Sequence, residues 1–161
     1  MLKKETFLFK SLYLHTKLRL MHRIIYLSSS VKLLTSEEIN FLLMQSRRNN
    51  QETLITGILL YIDGDFLQVL EGPEAELNKL FDTIKADSRH QCIITVFDGK
   101  IKGKYFPNWI MGFAVSEYKK IRKIEGLEYM NREALSVISD KKALLFIDSF
   151  INSHREKIIF V

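Results

Sequence analysis

YIDGDFLQVLEGP, residues Tyr61 to Pro73, joins two apolar runs at a tight turn and places an amide where an apolar residue belongs. Asp63-Gly64 is a hairpin signal, because glycine accepts positive φ without steric cost and the pair lies between ITGILLY and DFLQVLEG, both rich in β-formers. Two antiparallel strands are therefore expected. On the second, side chains alternate between faces, so Phe66, Gln68 and Leu70 share one and Leu67, Val69 and Glu71 the other. Gln68 is then flanked by large apolar groups. Left unpaired, a buried amide costs about 1–3 kcal/mol, so something polar must face it: a neighbouring side chain, a water or a ligand. On this stretch alone, a core amide satisfied by its neighbours is favoured over a ligand contact, since most polar groups in cores are of that kind.

Upstream, HRIIYLSSS from His22 reads as a strand, with Ile24, Tyr26 and Ser28 on one face, Ile25 and Leu27 on the other, and turn-forming serines at its end. Thr35 with Glu38 is a capping-box pattern, and Ile39, Leu42, Leu43 and Ser46 follow at helical spacing. The helix is predicted to run to about Arg48 and to stop at Asn49 and Asn50, whose side chains compete for local hydrogen bonds. Downstream, Pro73 suits the first turn of a second helix, marked by Leu77, Leu80, Phe81 and Ile84 and ending near Asp87. QCIITVF then reads as a fourth strand closed by Asp98-Gly99, and Asn108 to Val115 as a fifth with Trp109, Met111 and Phe113 on one face. Two helical patterns follow, one from Asn131 and one after Asp140, the latter with Leu144, Ile147 and Ile151 in register.

This order is βαββαβ with an added fifth strand, an α+β chain on the ferredoxin-like plan. In that plan the first and third strands lie together at the centre of the sheet, so Tyr26 can meet Gln68 beneath the two helices. The two trailing helices are left to cover the other face. The same architecture carries RNA binders, metal chaperones and small hydrolases, so the fold alone assigns no function.

Composition narrows the classes. A chain of 161 residues, 47% hydrophobic, fills one core and is too short for two ordinary domains. No apolar run approaches the ~20 residues that span a bilayer. Residues 1–21 read as a basic leader without the uninterrupted apolar core or cleavage site of a secretory signal. Of the formal charge of +5, residues 1–20 carry +4, from Lys3, Lys4, Lys10, Lys17 and Arg19 against Glu5, which leaves +1 for the rest. With no basic stripe interleaved with aromatics in the body, nucleic acid is not an expected partner. Cys92, the sole cysteine, lies in CIITVF and reads as core filling, in keeping with a reducing cytoplasm. No His/Asp/Glu cluster has the spacing of a catalytic centre.

IIYLS, SRRNN, ITGILLY, FLQVLEGP, a helix ending in ADSRH, and FPNWIMGF occur in the order and spacing of one known family. Over residues 22–115 the chain resembles the BLUF domains, blue-light receptors that use a flavin, usually FAD. The resemblance reverses the preference for a plain core amide. By it, Tyr26 matches the photoactive tyrosine, Gln68 the switching glutamine, and Asn50 the amide that bonds the flavin's pyrimidine edge. Trp109 and Met111 match the tryptophan and methionine of the last strand that exchange places near the glutamine. Leu42 and Ile84 match the aliphatic pair that sandwiches the ring, leucine departing from the isoleucine often found at the first position. Arg89 and His90 resemble the residues near the ribityl and phosphate groups, where a cation suits an anionic tail. Ser28 and Phe66 are placed with the ring site, beside their plain readings as a strand-end hydroxyl and a core aromatic.

The resemblance implies a photosensory protein rather than an enzyme, holding FAD, with FMN or riboflavin as alternatives. Blue light makes the flavin a strong oxidant, the Tyr26 phenol yields an electron and then a proton, and recombination leaves Gln68 rotated or tautomerised. A changed hydrogen bond to the flavin C4 carbonyl then shifts the spectrum to the red. The rearranged network would bias the fifth strand and the trailing helices, in residues 116–161, between two states. The signal is expected to leave through a homo-oligomer contact or an unidentified partner protein. The competing reading is a ferredoxin-like interaction module that has lost flavin binding.

Overall fold

The computed structural model describes residues 21–106, 112–115 and 141–154. In chain order the elements are β1 (Met21–Ser30), α1 (Ser36–Thr53), β2 (Thr56–Ile62), β3 (Asp65–Pro73), α2 (Glu74–Lys85), β4 (His90–Ile101), β5 (Gly112–Val115) and α3 (Lys141–Ser153). The strands form one sheet in the order β4-β1-β3-β2-β5. β1, β2, β3 and β4 pair antiparallel, while β5 joins the edge of β2 in parallel, which gives the ferredoxin-like α+β arrangement with its added strand. The β2–β3 hairpin turns on Asp63 and Gly64, both at positive φ (51° and 93°), as a type I′ turn requires. Glycine is also required inside β2: a Cβ on Gly57 would stand 1.9 Å from the Val69 carbonyl oxygen.

The sheet separates two apolar layers. On one face Ile24, Tyr26, Leu59, Phe66 and Leu70 pack with Ile39 and Leu43 of α1 and Leu77 and Phe81 of α2. On the other, Ile25, Ile58, Leu60, Leu67 and Val69 pack with Phe106 and with Ile147 and Phe150 of α3. The alternation read along β1 and β3 is therefore realised residue by residue.

Several boundaries differ from the sequence reading. Met21 is not leader but the first residue of β1, opposite Pro73. Asn49 and Asn50 do not end α1, which continues to Thr53 and is capped by Leu54 in the left-handed region (φ 59°). Ile39, Leu43 and Asn50 are its buried positions, so Asn50 extends the inward stripe and burial overrides its turn tendency. Pro73 closes β3 and serves as the N-cap of α2 instead of lying in its first turn. Asp98-Gly99 does not close β4 but lies inside it, opposite Ile24 and Arg23, with the Asp98 carboxylate 2.5 Å from His22 Nε2. Cys92 is exposed and not core filling: it has φ 55° where β4 carries an extra residue between the pairs Leu27–Ile94 and Ser29–Gln91. The 1–20 leader, Trp109, Met111 and the helix expected from Asn131 lie outside the described residues.

Candidate functional site

The register of β1 and β3 sets Tyr26 directly opposite Gln68, on the face covered by α1 and α2. Tyr26 Oη donates to Gln68 Oε1 within the core. Phe81 of α2 holds the phenol ring in place, with centroids 5.3 Å apart. Burial above all, and then the negative charge of Asp87, push the Tyr26 pKa well above its ordinary value, so the group is a neutral phenol at any ordinary pH.

Between the helices and this face lies a cavity of about 840 Å³, within the roughly 300–1,000 Å³ range of small-molecule and cofactor sites. Tyr26, Leu59, Phe66 and Gln68 line it from the sheet, Leu42, Gln45, Ser46, Asn49 and Asn50 from α1, and Leu80, Thr83 and Ile84 from α2. Asn50 reaches it only because α1 runs on past the expected stop. Its carbonyl helps cap the helix by accepting the amides of Leu54 and Ile55, while its residue is only 1% exposed.

Asp87 and Arg89, from the segment between α2 and β4, and His90, the first residue of β4, also line the cavity. Arg89 Nε lies 2.9 Å from both Asp87 carboxylate oxygens, and its Nη2 donates to Gln45 Oε1 at 3.1 Å. The hydrogen bonds from Arg89 hold the Asp87 carboxyl below its ordinary range, and Asp87 raises Arg89 in return. The arginine charge is thus already compensated within the protein. His90 is braced at both ring nitrogens, Nε2 2.7 Å from the Ile84 carbonyl oxygen and Nδ1 2.8 Å from Ser28 Oγ. Because a carbonyl only accepts, Nε2 is the donor, and in the neutral ring Nδ1 accepts the serine proton.

Tyr26, Leu42, Asn50, Phe66, Gln68, Ile84, Arg89 and His90 thus meet at one cavity. Ser28 does not line it and stands behind His90 as its hydrogen-bond partner. Asp87 and Gln45 escaped the sequence reading. The signal for Asp87 was its spacing in ADSRH, where a carboxylate two residues before arginine accepts both the backbone N–H and the guanidinium. Two buried amides able to donate and accept, with aliphatic side chains from opposite helices, fit a flat ring with a polar edge. Among the described residues no His/Cys/Asp/Glu group is arranged to hold a metal, and no helix is long and apolar enough to cross a membrane.

Residues 21–112 match the BLUF family, described as sensors of blue-light using FAD. The chain is 31% identical over 93 residues to the photoactivated adenylate cyclase subunit beta of Euglena longa, an alignment that covers 57% of this chain and only 11% of that protein. A solved structure described as BlrB, a BLUF protein in its dark state, is 32% identical, with a TM-score of 0.58 and coverage of 62% of this chain and 75% of the other. A bacterial light-regulated adenylyl cyclase is 30% identical at a TM-score of 0.61, over 84% of this chain and 35% of that one.

Proposed function

The chain belongs to the BLUF family of blue-light sensors that use flavin, and from that premise we propose that light is read out as a rearrangement of the Tyr26–Gln68 hydrogen bond. The observation that carries this reading is the bond itself, from Tyr26 Oη to Gln68 Oε1, at the wall of a cavity that also receives the buried Asn50 amide. Asn50 and Gln68 would hold the polar edge of the flavin, Leu42 and Ile84 its two faces, and Phe66 would exclude water from beneath it. Arg89 and His90 would lie toward the ribityl chain, with Ser28 orienting His90. FAD is the expected form, FMN and riboflavin the alternatives.

A bound flavin supplies, on absorbing blue light, an oxidant able to take an electron from a phenol. Tyr26 is that phenol, and because burial keeps it protonated, loss of its electron releases the Oη proton along the existing bond to Gln68 Oε1. When electron and proton return to Tyr26, Gln68 is left rotated or tautomerised and presents a changed donor to the cavity. Trp109 and Met111 are the proposed neighbours that respond. Tyr26 regains its electron and proton and no new covalent bond would join the cofactor to the protein, so the reading is of a sensor and not an enzyme. The cyclase relatives are far longer than the matched segment. For this chain we place the output in a partner protein or a second copy, in the cytoplasm.

Protein expressed without added ligand should purify yellow and shift its absorption reversibly to the red under blue light. A well-folded, colourless preparation that FAD does not reconstitute would overturn this in favour of an interaction module.

A further inference from the structure

On the sheet face turned away from the cavity, β1 and β3 carry a second cross-strand pair, Arg23 opposite Glu71, in the same register as Tyr26 opposite Gln68. The offset of three residues is odd, which puts the pair on the other side of the same two strands. Both residues are buried, Arg23 at 3% and Glu71 at 0% exposure. Arg23 Nε donates to Glu71 Oε1 at 2.7 Å, and Nη2 lies 2.6 Å from the same oxygen. The second oxygen, Oε2, accepts the backbone amides of Tyr105 at 2.8 Å and Phe106 at 2.9 Å. The guanidinium carbon of Arg23 lies 3.4 Å from the centroid of the Tyr105 ring. One residue earlier, Lys104 Nζ donates to the carbonyl of Leu54 at 2.5 Å. Leu54 is the cap of α1, and its own amide bonds to the Asn50 carbonyl.

Residues 104–106 are therefore fastened at two points, each close along the chain to an amide of the cavity: Leu54 beyond Asn50, and Glu71 beyond Gln68. Stability alone is a poor reason for this arrangement, because a buried ion pair is commonly replaced by packed apolar residues without loss. An apolar pair cannot hold two backbone amides at a fixed place on β3. We infer that Glu71 is a positioning residue for the light response, fixing the connection from β4 to β5 onto the strand that carries Gln68 so that a change at either is felt at the other. The inference rests on the photoreceptor reading. Coupling of this kind is reciprocal in free energy: if light, by altering Gln68, loosens residues 105 and 106, then loosening those residues favours the light-altered arrangement of Gln68 over the dark one, and slower dark recovery is the expected readout.

Hydrogen exchange on the flavin-loaded wild type, in darkness and under continuous blue light, tests the first half. The Tyr105 and Phe106 amides should exchange faster under illumination, and unchanged exchange in a sample whose red shift has formed would overturn the inference. The second half compares dark recovery in two double variants, neither of which leaves a lone buried charge. Arg23→Met with Glu71→Met removes the acceptor and should slow recovery about tenfold, the factor that goes with one hydrogen bond to a charged group. Arg23→Met with Glu71→Gln keeps an amide acceptor of the same shape and should recover most of the wild-type rate. Equal slowing in both, or wild-type recovery in both, would leave Glu71 as a packing residue only. A wild type that shows no red shift at all would instead sink the photoreceptor reading, and this inference with it.

Discussion

Tyr26 and Gln68 share one hydrogen bond but contribute different things to it, a removable proton on one side and a reorientable amide on the other. Tyr26→Phe and Gln68→Leu should each keep the flavin, because neither empties the cavity, yet each should abolish the normal red shift. Difference spectra before and after blue light decide it, and a variant that cycles like wild type loses its assigned role. Asp87 and Arg89 obey a separate pH rule. The folded carboxyl titrates below its unfolded counterpart, so its stabilisation is fully present above about pH 3.9 and is lost as pH falls through the lower folded value. The pair is partly solvated, which keeps the effect within about 0–1 kcal/mol. The advantage of wild type over Asp87→Asn in melting temperature should be constant near neutrality and shrink below about pH 4. A difference that held through acid would show that the pair does not stabilise the fold.

Where local pattern and burial agree, the elements were legible in the sequence. The Asp63-Gly64 turn, the two faces of β3 and the Thr35–Glu38 capping box appear as read, the last with Glu38 Oε2 accepting the Thr35 amide at 2.9 Å. The end of α1 was not, because asparagine is a stop signal on a solvated helix but an ordinary inward residue once its side chain has a cavity to face. β4 was misjudged for a related reason: an edge strand beside β1 tolerates Asp98-Gly99 when His22 takes up the carboxylate, and its bulge turns Cys92 outward. Of the residues that line the cavity, Leu42, Phe66, Gln68 and Ile84 lay on inward stripes and Arg89 came only from the resemblance, whereas its bond to Gln45 required knowing that two distant segments meet. Asn50→Ala tests the extended α1 directly. It removes a buried hydrogen-bonding amide worth about 0.5–1.5 kcal/mol net, so flavin should be lost more readily on dialysis while whatever remains bound still shifts to the red. Full retention would place Asn50 outside the binding contacts.

At the scale of the molecule, the sheet is a partition with chemistry on one side and an apolar layer on the other, and α3 shields part of the second. Ile147 is fully buried against that layer with Phe150. The helix is further tied to the hairpin by His154, whose Nε2 lies 3.2 Å from Asp65 Oδ2, while Asp65 Oδ1 accepts from Ser29 Oγ at 2.7 Å. Removing residues 116–161 would uncover Ile58, Leu60, Leu67 and Val69 on a contiguous strand surface, the kind of patch that drives association. A chain that starts at Met21 keeps every described residue of β1 and of both layers. The two ends should therefore behave oppositely: the Met21 start remains monodisperse in size-exclusion chromatography with an unchanged difference spectrum, whereas the chain ending at Val115 aggregates or associates abnormally. If the shortened C-terminus instead gave a monodisperse, normally cycling protein while the Met21 start lost its flavin, α3 would be dispensable to the partition, and residues 1–20 would have to be counted within the fold.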